Sequence, residues 1–215
     1  SLADVCLQIL VVMETDPDPG EVAEIESMGA RVIARVPTNS FGDAIRTAIA
    51  AISDGSDYVA FMDADGSHSP RRIPDLLAEM SDADVAVASR YIDGGTSDNN
   101  LLLRAMSIAL NRAYSLVLGL DCRDVSTNYK MYRAPMLKQL DLTCANFDIV
   151  EEMLFGVSVL VLPERLRIKE IPDHFAQRQS GETKRQLGVY IASYIWTLWK
   201  LRSMQRRDSN SRARE

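Results

Sequence analysis

Two aspartates separated by one residue, Asp63 and Asp65, follow an apolar run in the stretch YVAFMDADGSHSP, which begins at Tyr58. Hard divalent cations prefer carboxylate oxygens, and two carboxylates at a strand end can converge on one ion and on the nucleotide diphosphate that the ion bridges. Three interpretations are open at this point. The pair holds a metal for a nucleotide, or Asp63 is a phosphatase nucleophile, or the stretch is an ordinary strand-to-helix turn.

The elements that must position these aspartates alternate along the first part of the chain. The runs LQILVVM, RVIARV, DYVAFM and DVAVAS predict strands, and the runs PGEVAEIESMG, FGDAIRTAIAAIS and SPRRIPDLLAEM predict helices. This alternation of strands and helices predicts a mostly parallel sheet with helices on both faces. Ligands of such sheets bind beyond the carboxyl ends of the strands, which is where Asp63, Asp65 and Arg90 fall.

The second part of the chain is less regular. LLLRAMSIALNRAYSLVLGL and FDIVEEMLFGV predict helices, DVSTNYKMYRAP predicts an irregular strand and turn, and RLRIKEIPDHF predicts a strand. A charged loop, QRQSGETKRQ, precedes a closing helix at about residues 185–203. We predict one domain over residues 1–203 and a basic, disordered tail over residues 204–215.

Charge is distributed unevenly over the 215 residues, whose net charge is −6. Residues 178–215 contain nine Lys and Arg against three Asp and Glu, so the rest of the chain is strongly acidic. This pattern argues against nucleic-acid binding, and the basic end suits anionic lipid or phosphate. Three cysteines without metal spacing indicate reduced thiols, as expected in the cytoplasm.

The closing helix combines aromatic residues with basic residues that follow them. Its uncharged run is too short to span a bilayer. Trp196 and Trp199, followed by Lys200 and Arg202, predict an interfacial helix on an anionic membrane surface. The chain would then be a peripheral protein at the inner face of the cell membrane. A core-packing helix or a homodimer contact is the alternative.

Five motifs follow one another in a fixed order: DADGSHSP, SRYIDGG with a later RAMS, DVSTNYKMYR, FDIVEEML and IKEIPDHFAQRQSGETK. Together they resemble glycosyltransferase family 2, and within it the branch of dolichol-phosphate mannose synthases and related polyprenyl-phosphate glycosyltransferases. The resemblance covers about residues 7–200. It rests on the order and spacing of all five motifs, since each motif alone is weak.

The resemblance implies a GT-A fold, a three-layer α/β/α arrangement with a mostly parallel, mixed sheet, here lacking the family's first strand. It implies a GDP- or UDP-sugar donor, a polyprenyl or dolichyl phosphate acceptor, and Mg²⁺ or Mn²⁺ held by Asp63 and Asp65. It also implies a set of nucleotide- and donor-binding residues: Glu14, Asp16, Asp63, Ala64 and Asp65.

The resemblance also assigns residues to the acceptor side and to catalysis. The acceptor-side set is Arg90, Arg104, Asp124 and Glu152, and the catalytic set is Asp65, Arg90, Arg104, Arg178 and Lys184. The arginines and the lysine of these sets suit a transfer from a diphosphate to a phosphate. An arginine guanidinium binds phosphate through two parallel hydrogen bonds, and fixed cations offset the negative charge that develops on the leaving group. A phosphate monoester has a second pKa of about 6 and is largely a dianion at neutral pH, so it needs no general base. The family expectation is direct displacement with inversion.

Several positions depart from the family pattern. Met13 stands where the family has Asp, Ser67 where mannose synthases often have Gln, and Asn128 where Gly is usual. These departures leave the sugar open. One alternative is a degenerate GT-A domain that binds nucleotide or a protein partner without transfer. A haloacid-dehalogenase-like phosphatase is the other alternative, but it requires a later Gly-Asp-x-x-x-Asp pair that the sequence lacks.

Overall fold

The computed structural model describes residues 7–176 and 196–203. Each run predicted above as a strand or helix within residues 7–176 contains the predicted element. The strands are β1 (Leu10–Met13), β2 (Arg31–Ala34), β3 (Tyr58–Phe61), β4 (Val85–Ser89), β5 (Thr96–Ser97), β6 (Lys130–Arg133), β7 (Ile168–Pro172) and β8 (His174–Phe175). The helices are α1 (Pro19–Ser27), α2 (Phe41–Ala50), α3 (Ile73–Glu79), α4 (Leu101–Leu118), α5 (Ala134–Leu137) and α6 (Ile149–Leu160), with a 3₁₀ turn at Pro70–Arg72. Residues 196–203 are also helical.

The chain divides into two compact units, and the first contains residues 7–56 together with Asp141–Ile149. Within it β1 and β2 pair in parallel, with α1 as the connection between them. The distant segment is fixed to α2 because the Gly42 N–H donates to Ala145 O at 2.8 Å and Phe41 stacks on Phe147. This unit therefore supplies a parallel strand pair whose carboxyl ends lead into residues 14 and 35.

The second unit, Asp57–Leu140 with the described part of Val150–Glu215, contains a four-stranded sheet in the order β3-β6-β4-β7. β6 runs antiparallel to both β3 and β4, and β4 and β7 are parallel. Since β3, β4 and β7 share one direction, their carboxyl ends meet at one edge of the sheet. β6 begins at that same edge, so the loop that precedes it emerges between the ends of β3 and β4.

A hydrophobic cluster of this unit forms between the sheet and α3. Its buried side chains come from α3, β4, β6 and β7 and from the residues next to them: Leu76, Met80, Ala86, Ala88, Tyr129, Met131 and Ile171. All five residues of β4 are buried, as expected for a strand with neighbours on both sides and packing on its faces. This packing holds the ends of β3, β4 and β7 in fixed positions.

Candidate active site

The two aspartates lie in a tight turn after β3. Asp65 Oδ1 accepts the Ser67 N–H at 3.0 Å and the Ser67 hydroxyl at 2.5 Å. The turn passes through Gly66 at φ 82°, a left-handed conformation that a side chain disfavours. The Asp63 N–H donates to His68 Nδ1 at 3.1 Å. Local hydrogen bonds thus fix both aspartates at the edge of the sheet.

His68 supports this turn from within the core. Its ring stacks on Tyr129, with centroids 5.0 Å apart, and meets Phe175 edge-on at 5.4 Å. Because Nδ1 accepts the Asp63 N–H, the ring is neutral, and burial lowers the pKa of His68 below its ordinary value. The residue therefore acts as a hydrogen-bonding support for the aspartate turn.

Arg90, which follows β4, is bound to Asp124 by three hydrogen bonds. Its backbone N–H and Nε donate to Asp124 Oδ2 at 2.9 and 2.8 Å, and Nη2 donates to Oδ1 at 2.7 Å. The Asp124 side chain is fully buried and that of Arg90 is 11% exposed. The guanidinium also lies over the rings of Tyr91 and Phe175. The structure thus joins two residues of the predicted acceptor-side set into one bidentate ion pair.

The loop that precedes β6, residues 122–128, carries Asp124 and is held from two sides. Glu170 of β7 accepts the backbone N–H groups of Arg123 and Asp124 at 2.9 and 3.2 Å. Asn111 of α4 accepts the Ser126 N–H at 2.8 Å and donates to the Ser126 hydroxyl at 3.0 Å. The 122–128 loop is therefore preorganised by its neighbours.

A buried lysine at the start of β6 also binds the 122–128 loop. The Lys130 side chain is fully buried, and Nζ donates to Val125 O at 2.9 Å and to Thr127 O. Burial lowers the pKa of Lys130, with nearby Asp124 among the groups that oppose this change. Sequence reasoning missed this residue, because a lysine in a motif rich in polar residues predicts exposure.

Two further residues at this edge were not among the predicted site residues. Asn128 Nδ2 donates to Asp63 Oδ1 at 3.0 Å and so connects the 122–128 loop to the aspartate turn. Asp173, just after β7, is buried, its N–H donates to Ser89 O at 3.0 Å, and burial raises the pKa of its carboxyl group. Asp173 was signalled in the sequence by its position in the motif IKEIPDHF, and Asn128 by its place in DVSTNYKMYR, where it departs from the family's usual Gly.

The other predicted residues lie in several places. Glu14 and Asp16 belong to the first unit, where both are exposed just after β1, and Ala64 is exposed between the two aspartates. Arg104 lies in the first turn of α4, with its N–H on the helix-capping residue Asn100.

Glu152 and the C-terminal cations complete the predicted set. Glu152 of α6 is buried, and the Lys200 Nζ donates to its Oε1 at 3.2 Å, which connects α6 to the helix at residues 196–203. Arg178 and Lys184, as well as the predicted tail over residues 204–215, lie outside the described residues.

The carboxylates of Asp63 and Asp65 fit a hard divalent cation. Each has one oxygen in a hydrogen bond to a neighbouring side chain, Asn128 for Asp63 and Ser67 for Asp65, and both side chains are partly exposed. Across residues 7–176 and 196–203, no third His, Cys, Asp or Glu joins such a cluster. A cation here would take its other ligands from phosphates and water, as Mg²⁺ commonly does.

Comparison with known proteins identifies the family. The sequence profile of glycosyl transferase family 2 matches residues 8–141, which is more than half of the chain. The chain belongs to glycosyl transferase family 2. It is a glycosyltransferase, which decides against the phosphatase alternative.

Curated relatives within family 2 match most of the chain. The undecaprenyl-phosphate mannosyltransferase of Micrococcus luteus is 32% identical over 191 residues, covering 84% of this chain and 76% of that protein. The polyprenol monophosphomannose synthase of Mycolicibacterium smegmatis is 29% identical over 194 residues, covering 83% and 70%. The predicted resemblance to the polyprenyl-phosphate branch of family 2 is thus confirmed.

Solved structures place the family 2 chain in a known fold. Glucosyl-3-phosphoglycerate synthase from Mycobacterium tuberculosis, crystallised with Mn²⁺, UDP-glucose and phosphoglyceric acid, superimposes with a TM-score of 0.61 at 18% identity, over 90% of this chain and 68% of that one. A second crystal structure of the same enzyme gives a TM-score of 0.63. The predicted GT-A fold is confirmed.

Proposed function

We propose that this glycosyltransferase transfers a sugar from a GDP- or UDP-sugar to a polyprenyl phosphate, with inversion at the anomeric carbon and with a divalent cation at Asp63 and Asp65. The curated relatives described above are named as mannosyltransferases of undecaprenyl phosphate or polyprenol, which supports this acceptor class and makes mannose the first sugar to test.

One observation carries the proposal from the structural side. The aspartate turn and the Arg90–Asp124 pair lie at the same edge of the sheet, and the 122–128 loop contributes Asp124 to the pair and contacts the turn through Asn128. A donor diphosphate and an acceptor phosphate bring several negative charges to one place. Carboxylates that can hold a cation and an adjacent guanidinium are the groups that such a reaction requires.

The proposed reaction is a single displacement. An oxygen of the acceptor phosphate attacks the anomeric carbon, a new carbon–oxygen bond forms on the face opposite the diphosphate, and the bond to the diphosphate breaks. The cation, when bound, neutralises charge on the departing diphosphate. Asp124 holds the Arg90 guanidinium in place at this edge, and Arg104, Arg178 and Lys184 are proposed as further phosphate-binding cations.

A transfer assay with the full chain tests this proposal. We expect labelled mannose to move from GDP-mannose, or another sugar from its UDP or GDP donor, to undecaprenyl phosphate in Mn²⁺ or Mg²⁺, and no transfer in EDTA. Binding of UDP or GDP without transfer to any polyprenyl phosphate would instead favour the binding-only alternative. Transfer that persists in EDTA would remove the cation from the mechanism.

We also propose that the apolar face of α4 rests on the membrane that contains the acceptor. Among the described helices, α4 is long and apolar enough to cross a membrane by length and composition alone, with a mean hydropathy of 1.3. Its polar side is bound to the protein, however, because Asn111 contacts Ser126, and the Ser115 hydroxyl donates to Cys122 O. If α4 lies in the membrane interface, these hydrogen bonds are kept, and the lipid covers the face of α4 that points away from the protein, which we call the outer face.

The outer face of α4 has the composition of a membrane surface contact. Leu101 and Leu116 are 83% and 82% exposed and lie within about 100° of arc on the helix with the exposed Arg112. Trp196 and Trp199 are also exposed, and Arg202 of their helix donates to Val117 O of α4. Leucine, tryptophan and arginine together favour anionic lipid as the occupant.

Vesicle binding measures this contact directly. We expect the double variant Leu101→Gln, Leu116→Gln to bind phosphatidylglycerol-containing vesicles at least about tenfold more weakly than the wild type, because burial of each leucine contributes about 1.5–3 kcal/mol. Met28→Gln, which changes an exposed apolar residue of the first unit, should bind as the wild type does. A concentration-dependent dimer that the double variant abolishes, without vesicle binding by the wild type, would assign this face to a second copy.

A further inference from the structure

Asn128 connects the two parts of the candidate site, the turn that carries Asp63 and Asp65 and the loop that carries Asp124. It lies in the 122–128 loop, two residues before β6, and its Nδ2 donates to Asp63 Oδ1 at 3.0 Å. The assignment of nitrogen and oxygen follows from the partner, because an ionised carboxylate only accepts hydrogen bonds. The opposite orientation would place two oxygens against each other.

The other end of the same amide makes no compensating contact. Asn128 Oδ1 is buried, and no donor reaches it within the described part of the chain. A buried acceptor without a partner costs free energy, so this amide is a poor choice for stability alone. Its hydrogen bond to Asp63 is the property that explains an asparagine here.

A hydrogen bond of this kind controls how a carboxylate faces a cation. One oxygen of Asp63 is engaged by Nδ2, and this restricts rotation of the carboxylate and directs its remaining lone pairs. Outer-shell hydrogen bonds to metal ligands typically change metal affinity by about 10–100-fold. The same 122–128 loop carries Asp124, so the orientation of Asp63 depends on the segment that also orients Arg90.

We propose that Asn128 is a positioning residue that orients the Asp63 carboxylate for the divalent cation and couples it to the 122–128 loop. The inference rests on the proposed function in one respect only, the binding of a divalent cation at Asp63 and Asp65. It does not depend on the identity of the sugar or of the acceptor.

Metal titration of the full chain tests the positioning role without turnover. Free Mn²⁺ is measured by electron paramagnetic resonance in the presence of UDP or GDP. We expect Asn128→Ala to weaken Mn²⁺ binding about tenfold. Its melting temperature in metal-free buffer should equal or exceed that of the wild type, since the unpaired oxygen is removed together with the hydrogen bond.

Two controls separate positioning from a structural role. Asn99→Ala changes an exposed asparagine of the loop before α4 and should alter neither quantity. Asn111→Ala removes a buried amide whose oxygen and nitrogen both bond to Ser126, and it should lower the melting temperature. In transfer assays, Asn128→Ala should raise the Mn²⁺ concentration for half-maximal rate more than it lowers the rate at saturating Mn²⁺.

The outcomes are distinguishable. Equal Mn²⁺ affinity of the wild type and Asn128→Ala overturns the positioning role while leaving the proposed function intact. A lower melting temperature of Asn128→Ala with unchanged Mn²⁺ affinity assigns the residue to stability instead. Absence of Mn²⁺ binding to the wild type with either nucleotide overturns the metal assignment and this inference together.

Discussion

Replacing Asp124 with alanine is expected to lower the free energy of unfolding by about 3–5 kcal/mol, because it leaves the charge of Arg90 without its partner in a buried place. The Asp124 carboxylate is fully buried and accepts three hydrogen bonds from Arg90. Urea denaturation measures this difference in the free energy of unfolding, when the wild type and the variant have the same dependence of that free energy on urea concentration. We expect sugar transfer to fall as well, because the guanidinium is no longer held at the sheet edge.

An exposed ion pair of the same chemistry provides the control for Asp124→Ala. Arg72 and Asp75 lie 3.1 Å apart with side chains 41% and 52% exposed, so Asp75→Ala should cost less than about 1 kcal/mol. The double variant Arg90→Met, Asp124→Leu should recover stability relative to Asp124→Ala, since the Arg90 charge is no longer left without its partner, but it should not recover transfer. Equal costs for Asp124→Ala and Asp75→Ala would contradict the importance of the buried pair.

Replacing Asp65 with asparagine is expected to reduce metal-dependent transfer by about a thousandfold, which corresponds to about 4 kcal/mol of transition-state stabilisation. Asparagine retains an oxygen for the hydrogen bonds from Ser67, so the turn can persist while a charged ligand is lost. The measurement is the rate of transfer to a polyprenyl phosphate as a function of Mn²⁺ concentration, together with the melting temperature.

The expected pattern for Asp65→Asn is specific to a ligand of the metal. Its melting temperature should stay close to that of the wild type, and the residual rate should rise with Mn²⁺ beyond the concentration that saturates the wild type. Asp82→Asn, which neutralises an exposed carboxylate after α3, should change neither property. A wild-type rate for Asp65→Asn at low Mn²⁺ would show that Asp65 does not hold the metal.

The sequence predicted those parts of the site that follow from local patterns. Apolar runs that end in Asp63 and Arg90 predicted strands with polar residues at their carboxyl ends, and parallel strands bring such ends to one edge. β3 and β4 do share one direction, although β6 lies between them. The local pattern of apolar residues and the expectation that parallel strands end at one edge were therefore sufficient to predict that Asp63 and Arg90 lie at the same edge of the sheet.

The contacts that complete the edge could not be predicted, because they join residues distant in sequence. β6 is a strand of four residues that pairs on both sides, and nothing in KMYR indicates its neighbours. Lys130 begins that strand and is fully buried, against the usual preference of lysine for solvent. Asn128 and Asp63 are 65 residues apart, and Glu152 and Lys200 are 48 apart. Such pairs become visible only when the chain is folded.

The many attachments of the 122–128 loop have a consequence for exchanging this loop between related enzymes. Six residues of other elements bond to this loop: Asp63, Arg90, Asn111, Ser115, Lys130 and Glu170. A loop transplanted from a relative would therefore lose its supports unless the residues that contact it were exchanged at the same time. The smallest interchangeable module is the loop with these six side chains, and a chimaera that exchanges the loop alone should misplace Asp124 and Asn128 together.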